Sequence, residues 1–227
     1  MADKGLLFVF AECGPDVQED EFNDWYDNEH APLRLTVPGI SNAARYKATD
    51  DKTPSWVAIY DTLYPSIMDS DAYKSLASAA SDRERALIPR LAMLNRRVYS
   101  RISVQVNFSF ITDTSPAKYL GVVILSVPPY LCEEFDEWYE KEHVPALTTT
   151  PGWLRSRCYK FVSGVELANP QKESVSKHNY LILHDWARDD YLLMISLATS
   201  GGVDRTALRP SQEHRESPDH LVATCIS

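Results

Sequence analysis

"FNDWYDNEHAPLRLTVPGI" occupies Phe22 to Ile40, and "FDEWYEKEHVPALTTTPGW" occupies Phe135 to Trp153. The two stretches align without a gap at an offset of 113 residues (135 minus 22), half of the 227-residue chain. Phe, Trp, Tyr, Glu, His, Pro, Thr, Pro and Gly recur in the same order. Repeated aromatics suit a helix face packed on a core, but a repeated Glu-His pair before a proline calls for a chemical account as well.

The repeat extends to both sides of this phrase. Upstream, "LLFVF" (Leu6 to Phe10) faces "LGVVIL" (Leu120 to Leu125), and both read as short buried strands. Downstream, "ARYKATD" from Ala44 faces "RCYKFVS" from Arg157, so Tyr46 and Tyr159 match. "WVAIYD" from Trp56 then resembles "YLILHD" from Tyr180, now at an offset of 124 (180 minus 56). The second copy therefore holds 11 extra residues (124 minus 113), in the polar stretch Gly164 to Asn179. Helical segments follow: "PSIMDSDAYKSLASAAS", with Pro65 as its first residue, and "DRERALIPRLAMLN", interrupted by Pro89. In the second half "ARDDYLLMISLATS" stands in the same place and stops at Gly201-Gly202. "RVYSRISVQV" from Arg97 and "HLVATCI" from His220 close the halves as strands.

Each half reads β-α-β-β-α-β, the split βαβ or ferredoxin-like order. The fold class is α+β, with unit boundaries at 1–112 and 113–227. A half of this size leaves one sheet face bare unless something covers it. Two halves in one chain can cover each other, as one barrel-like body joined near residues 109–118.

At about 100° per residue, Phe22, Trp25, Tyr26 and Glu29 fall on one helix face, with His30 on its flank. Phe135, Trp138, Tyr139 and Glu142 repeat that geometry, with His143 on the flank. Pro32 and Pro145 should end or kink the helix. A glutamate among aromatics is costly to bury unless paired or protonated. Desolvation would raise its pKa and a charged histidine would lower it, the balance from which acid/base groups near neutral pH are made. The plainer alternative is that the aromatics are core and that Glu29 and Glu142 bond a backbone amide or an arginine such as Arg34 or Arg45. Tyr46 and Tyr159 could point into the same pocket. Arg34 and Arg45 could hold a carboxylate or phenolate, whereas Leu147 and Cys158 replace them in the second half, which favours the first half for an acidic ligand. His184 stands where Tyr60 stands in the first half.

The net charge of −9 argues against nucleic acid, which needs a basic surface. No apolar run approaches the roughly 20 residues of a membrane helix, and the N-terminus lacks the pattern of a secretory signal. Cys13, Cys132, Cys158 and Cys225 show no zinc spacing, and isolated cysteines of this kind suit a reducing cytoplasmic location. No HExxH, glycine-rich phosphate loop or GxSxG occurs, and the six histidines lack metal-ligand spacing.

With "FxxWYxxEHxP…PG" after a short strand, then "RY" and "WVAIYD", the chain resembles the EthD-like branch of the dimeric α+β barrel superfamily, once per half, as a tandem version of fungal type. The resemblance implies two ferredoxin-like units that mimic the usual homodimer, with pockets between helices and sheet. Similar proteins include polyketide cyclases, anthrone-type monooxygenases, small aromatic-acid decarboxylases, lactone isomerases and haem-handling proteins, many of them working without metal or organic cofactor through a His or Tyr. By position it points to His30, His143, Glu29, Glu142, Tyr46 and Tyr159 as catalytic candidates. Phe22, Trp25, Tyr26, Arg34, Arg45, Trp138 and Tyr139 are then expected around the substrate. The expectation is an enzyme without cofactor acting on a small hydrophobic, aromatic or polyketide-like metabolite by cyclisation, decarboxylation, isomerisation or oxygenation. A non-catalytic binding or stress-response module and a haem-handling protein are the alternatives, and the expected assembly is a monomer or a homodimer of it.

Overall fold

A computed structural model describes residues 4–49, 51–107, 116–168, 178–188 and 219–226, the last of these as backbone alone. Most of the expected joining segment near 109–118, most of the insertion, His214 and the helical stretch after Arg188 lie outside the described residues.

Strand β1 (Gly5–Glu12) leads into helix α1 (Glu19–Trp25), whose first turn carries Glu19, Asp20 and Glu21, the charge that suits the exposed amides of a helix start. A π-helical turn (Tyr26–His30) and α2 (Ala31–Leu35) continue it. Strands β2 (Ile40–Ala48) and β3 (Trp56–Thr62) follow. The expected Pro65 helix is two pieces: a 3₁₀ turn from Pro65 and then α3 (Asp71–Ser78), which starts afresh where the Ser70 hydroxyl accepts from the Tyr73 amide. Helix α4 (Asp82–Leu87) stops short of Pro89, and β4 (Met93–Val106) starts four residues before Arg97. Residues 93–95, expected to be helical, are strand, because a chain that cannot pass Pro89 as a helix is free to pair with its neighbours.

In the second part of the chain β5 (Tyr119–Leu125), α5 (Cys132–Trp138), a second π-helical turn (Tyr139–His143), α6 (Val144–Thr148), β6 (Trp153–Glu166), β7 (Tyr180–Trp186) and β8 (Asp219–Ile226) follow in turn. All pairings are antiparallel, and the strands close a barrel in the order β1-β3-β2-β8-β5-β7-β6-β4. Eight strands enclose a space that side chains just fill. Here Leu6, Phe8, Phe10, Val57, Ile59, Leu120, Val122, Leu181 and Leu183 fill it with Tyr46, Tyr99 and Tyr159. Arg155 and Arg157 are also buried and share the fully buried Asp185, at 2.7 and 3.0 Å.

The helices cover the outer faces, where two further cores form. One joins Leu7, Val9, Trp56, Ala58 and Tyr60 to Phe22, Trp25 and Tyr26. The other joins Cys158, Tyr180, Ile182 and Trp186 to Tyr139, Val144 and Leu147. The start of the insertion is structural: β6 runs to Glu166, whose carboxylate accepts from the amides of Leu94 and Ala168 at 2.8 and 3.1 Å.

Candidate functional site

Neither proline ends its helix. The Ala31 amide donates to the Tyr26 carbonyl, and the Val144 amide to that of Tyr139, five residues back in each case. This wider turn lets the chain absorb the proline, which cannot donate and crowds the carbonyl four residues before it. It also changes which side chain points inward. In an unbroken α-helix Glu29 would sit ~20° from the Phe22 direction and His30 ~80° away. The extra residue in the turn winds both back, so His30 moves inward and Glu29 outward.

His30 is accordingly only 4% exposed, between Trp25 and Tyr26 at ring-centroid distances of 4.4 and 4.8 Å. Glu29 is half-buried and accepts from Ser81, and Glu142 is exposed. Neither phrase shows the expected Glu-His partnership among the described residues, and in the first another glutamate takes its place. His30 Nδ1 lies 3.1 Å from Oε2 of Glu84, on α4. That oxygen also accepts from Trp25 Nε1 at 3.3 Å, while Arg34 Nη2 lies 3.5 Å from Oε1. A carboxylate only accepts, so His30 carries its proton on Nδ1. Burial pushes the His30 pKa down to about 4 against the pull of Glu84, so the ring is neutral at pH 7. Burial pushes the Glu84 carboxyl up, but its bonds to His30, Arg34 and Trp25 hold it below the ordinary carboxylate value.

The arginines nominated for a ligand are already committed. Arg34 Nη1 donates to the His30 carbonyl at 3.2 Å besides facing Glu84. Arg45 pairs with Asp27 and donates to Asn23 Oδ1 at 2.8 Å. Its guanidinium lies over the rings of Tyr26, Trp56 and Phe22 at 4.3, 4.9 and 5.2 Å. Both guanidiniums expected to hold an acidic ligand thus have partners within the protein. Phe22, Trp25 and Tyr26 are wholly buried, and the Tyr60 hydroxyl donates to that of Tyr26 at 3.2 Å. Here the aromatics are core.

Tyr46 and Tyr159 do not join the histidines. Side chains alternate along a strand, so with Arg45 and Cys158 toward the helices both tyrosines point into the barrel. There the Tyr46 hydroxyl donates to the Ala117 carbonyl at 3.3 Å.

The second histidine has a different setting. His143 is half-buried beside the half-buried Trp138, the buried Tyr139 and the buried His184, with centroid distances of 4.8, 5.7 and 6.1 Å. Among the described residues its ring has no hydrogen-bond or ion-pair partner, and burial alone pushes its pKa down to about 4. His184 Nδ1 lies 2.8 Å from Ser156 Oγ, which accepts from Trp153 Nε1 at 2.9 Å.

Glu84, Ser156 and Trp153 went unnoticed in the sequence. The one signal around Glu84, Ser-x-x-Glu from Ser81, marks a helix start, and the Glu84 amide does bond Ser81 Oγ at 3.0 Å. The carboxylate, however, turns away to His30. Among the described residues no three His, Cys, Asp or Glu are placed to hold a metal ion, and no helix is long and apolar enough to cross a membrane.

Solved structures share this architecture. An anthrone oxidase-like protein superposes with a TM-score of 0.63 at 9% identity, over 100% of this chain and 92% of its own. A proposed monooxygenase from Fusobacterium nucleatum gives 0.56 at 11%, over 100% and 94%. A ferredoxin-fold protein from Listeria monocytogenes, related to antibiotic biosynthesis monooxygenases, gives 0.50 at 8%, over 100% and 96%. The fold is that of the dimeric α+β barrel. At such identities the likeness speaks for fold alone. No protein-family model matches the chain, and no curated protein matches it in sequence.

Proposed function

We propose that the protein is an EthD-like enzyme that works without a cofactor on a small hydrophobic, aromatic or polyketide-like metabolite, with His143 as its acid/base group. The chain is read as two ferredoxin-like units, 1–112 and 113–227, fused so that one molecule imitates a homodimer. The run β4-β1-β3-β2 beside β6-β7-β5-β8 in the barrel order supports this division.

The observation that carries the assignment is the contrast between the two histidines. His30 is enclosed and held by Glu84, as a structural side chain is. His143, at the matching position, is half-buried against an aromatic wall and keeps no such partner among the described residues. A neutral imidazole in such a wall can take a proton from a bound ligand, and the anion formed then stabilises the imidazolium beside it.

Turnover of anthrone and related aromatic ketones, followed by product chromatography, tests the proposal. His143→Gln should lower kcat by ~10²–10⁴ with the fold intact by circular dichroism, while His30→Gln should act on stability instead. Undiminished turnover by a folded His143→Gln variant would sink the assignment, and ligand binding without turnover by the wild type would mark a binding module.

A further inference from the structure

Three positions that match across the repeat differ together. Ile40, Ala43 and Tyr60 correspond to Trp153, Ser156 and His184, at offsets of 113, 113 and 124 residues. The strand register sets Ala43 opposite Tyr60 and Ser156 opposite His184. An Ala-Tyr pair across two neighbouring strands has thus become a Ser-His pair, and an isoleucine beside it has become a tryptophan.

The three replacements form one hydrogen-bonded chain with a direction. Trp153, Ser156 and His184 are 4%, 1% and 5% exposed, so each polar atom needs a partner. An indole N–H only donates, so Ser156 Oγ accepts from it at 2.9 Å. Ser156 Oγ also lies 2.8 Å from His184 Nδ1, and a hydroxyl that accepts from the indole can give its one proton to that nitrogen. A neutral imidazole that accepts at Nδ1 carries its proton on Nε2. In that arrangement His184 is an Nε2–H donor whose ring orientation is set by a buried serine.

We propose that His184 is a second functional residue of the His143 site, a fixed Nε2–H donor to the oxygen of an enolisable ketone or phenol whose proton His143 removes. The proposal rests on His143 being the base, and its geometry is the 6.1 Å between the two ring centroids. The two rings are unequal: His184 is anchored as a donor, whereas His143 has no anchor among the described residues and offers a nitrogen lone pair. In the step, the C–H bond next to the carbonyl breaks and its proton passes to the His143 nitrogen. The electron pair forms the C=C bond of the enolate, and the carbonyl π pair moves to oxygen, where His184 Nε2–H donates without losing its proton. A donor N–H that holds a neighbour in the resting protein can exchange it for a ligand oxygen. Once bound to that oxygen, a donor whose ring is already oriented by Ser156 stabilises the charge as it develops.

Two measurements on the full chain test this. Long-range ¹H–¹⁵N correlation spectra at pH 7, with His184 assigned by its loss in His184→Gln, should show Nδ1 bare and Nε2 protonated, and Ser156→Ala should give a mixture of tautomers. A protonated Nδ1 in the wild type overturns the proposal. Deuterium uptake at the methylene of anthrone in anaerobic D₂O should be accelerated by the wild type and lowered ~10²–10³-fold in His184→Phe. Ser156→Ala, which keeps both rings, should lower it less. Wild-type exchange in a folded His184→Phe variant with none in His143→Gln overturns the donor role and leaves His143 as the base. Absence of exchange in the wild type itself overturns both.

Discussion

Glu84 is the side chain on which the first helical layer closes, and removing it gives a graded test. Its carboxylate accepts from His30 at 3.1 Å and from Trp25 at 3.3 Å and faces Arg34 at 3.5 Å, and the residue is 4% exposed. Glu84→Ala leaves an indole N–H and an imidazole N–H without an acceptor, at about 1–3 kcal/mol each. It also leaves the Arg34 guanidinium, 11% exposed at its side chain, without its counter-charge. Breaking a buried pair by removing one partner costs about 3–5 kcal/mol, and these losses overlap in one network, so we expect a total in that same range. Glu84→Gln keeps an oxygen for the N–H donors and loses the charge, so it should cost about 1–2 kcal/mol. Urea unfolding followed by tryptophan fluorescence measures both, with the slope checked for two-state behaviour. Equal effects from Ala and Gln, or a cost for Ala under ~1 kcal/mol, would refute the reading of Glu84 as the common acceptor.

Two further expectations concern stability. His30 has a folded pKa of about 4 against an ordinary 6.5, so the unfolded chain binds a proton in a range where the folded chain does not. Stability should therefore fall as pH drops from 6.5 to 4, by roughly 3 kcal/mol from this one group, and His30→Gln should flatten the curve of unfolding free energy against pH. Gly39 and Gly152 turn the chain with φ of +94° and +86°, so each alanine variant meets backbone strain of about 1–2 kcal/mol. A Cβ on Gly39 would also come 2.5 Å from Ile67 Cδ1, whereas one on Gly152 would meet the flexible Arg188 Cδ at 3.0 Å. Gly39→Ala should therefore lower Tm by more than Gly152→Ala, and the opposite order in calorimetry would contradict the packing.

The repeat at an offset of 113 made the element order readable, because strand and helix signals depend on local periodicity. The buried cluster of Arg155, Arg157 and Asp185 was not readable, since the sequence around "RSRCYK" carries no mark of which face turns inward. Nor were the partners of Arg45: Asp27 and Asn23 lie 18 and 22 residues away. His30 was legible as a notable residue, but its orientation was not, because the π-helical turn depends on how the chain accommodates Pro32 while keeping Trp25 and Tyr26 against the sheet.

By itself the sequence determined the duplicated phrase, the helix that carries it, the Pro-Gly turns and the two histidines as the polar residues to watch. Those features follow from neighbours a few residues apart, where backbone geometry alone decides which side chains align. Tertiary structure decided the partners. Glu84 reaches His30 across 54 residues, Ser156 meets His184 across 28, and Tyr46 and Tyr159 turn into the barrel because their strands alternate. Contacts of that length exist only once sheets and helices have docked, and they are what enclose and pair His30 while His143 stays half-buried with no hydrogen-bond or ion-pair partner among the described residues.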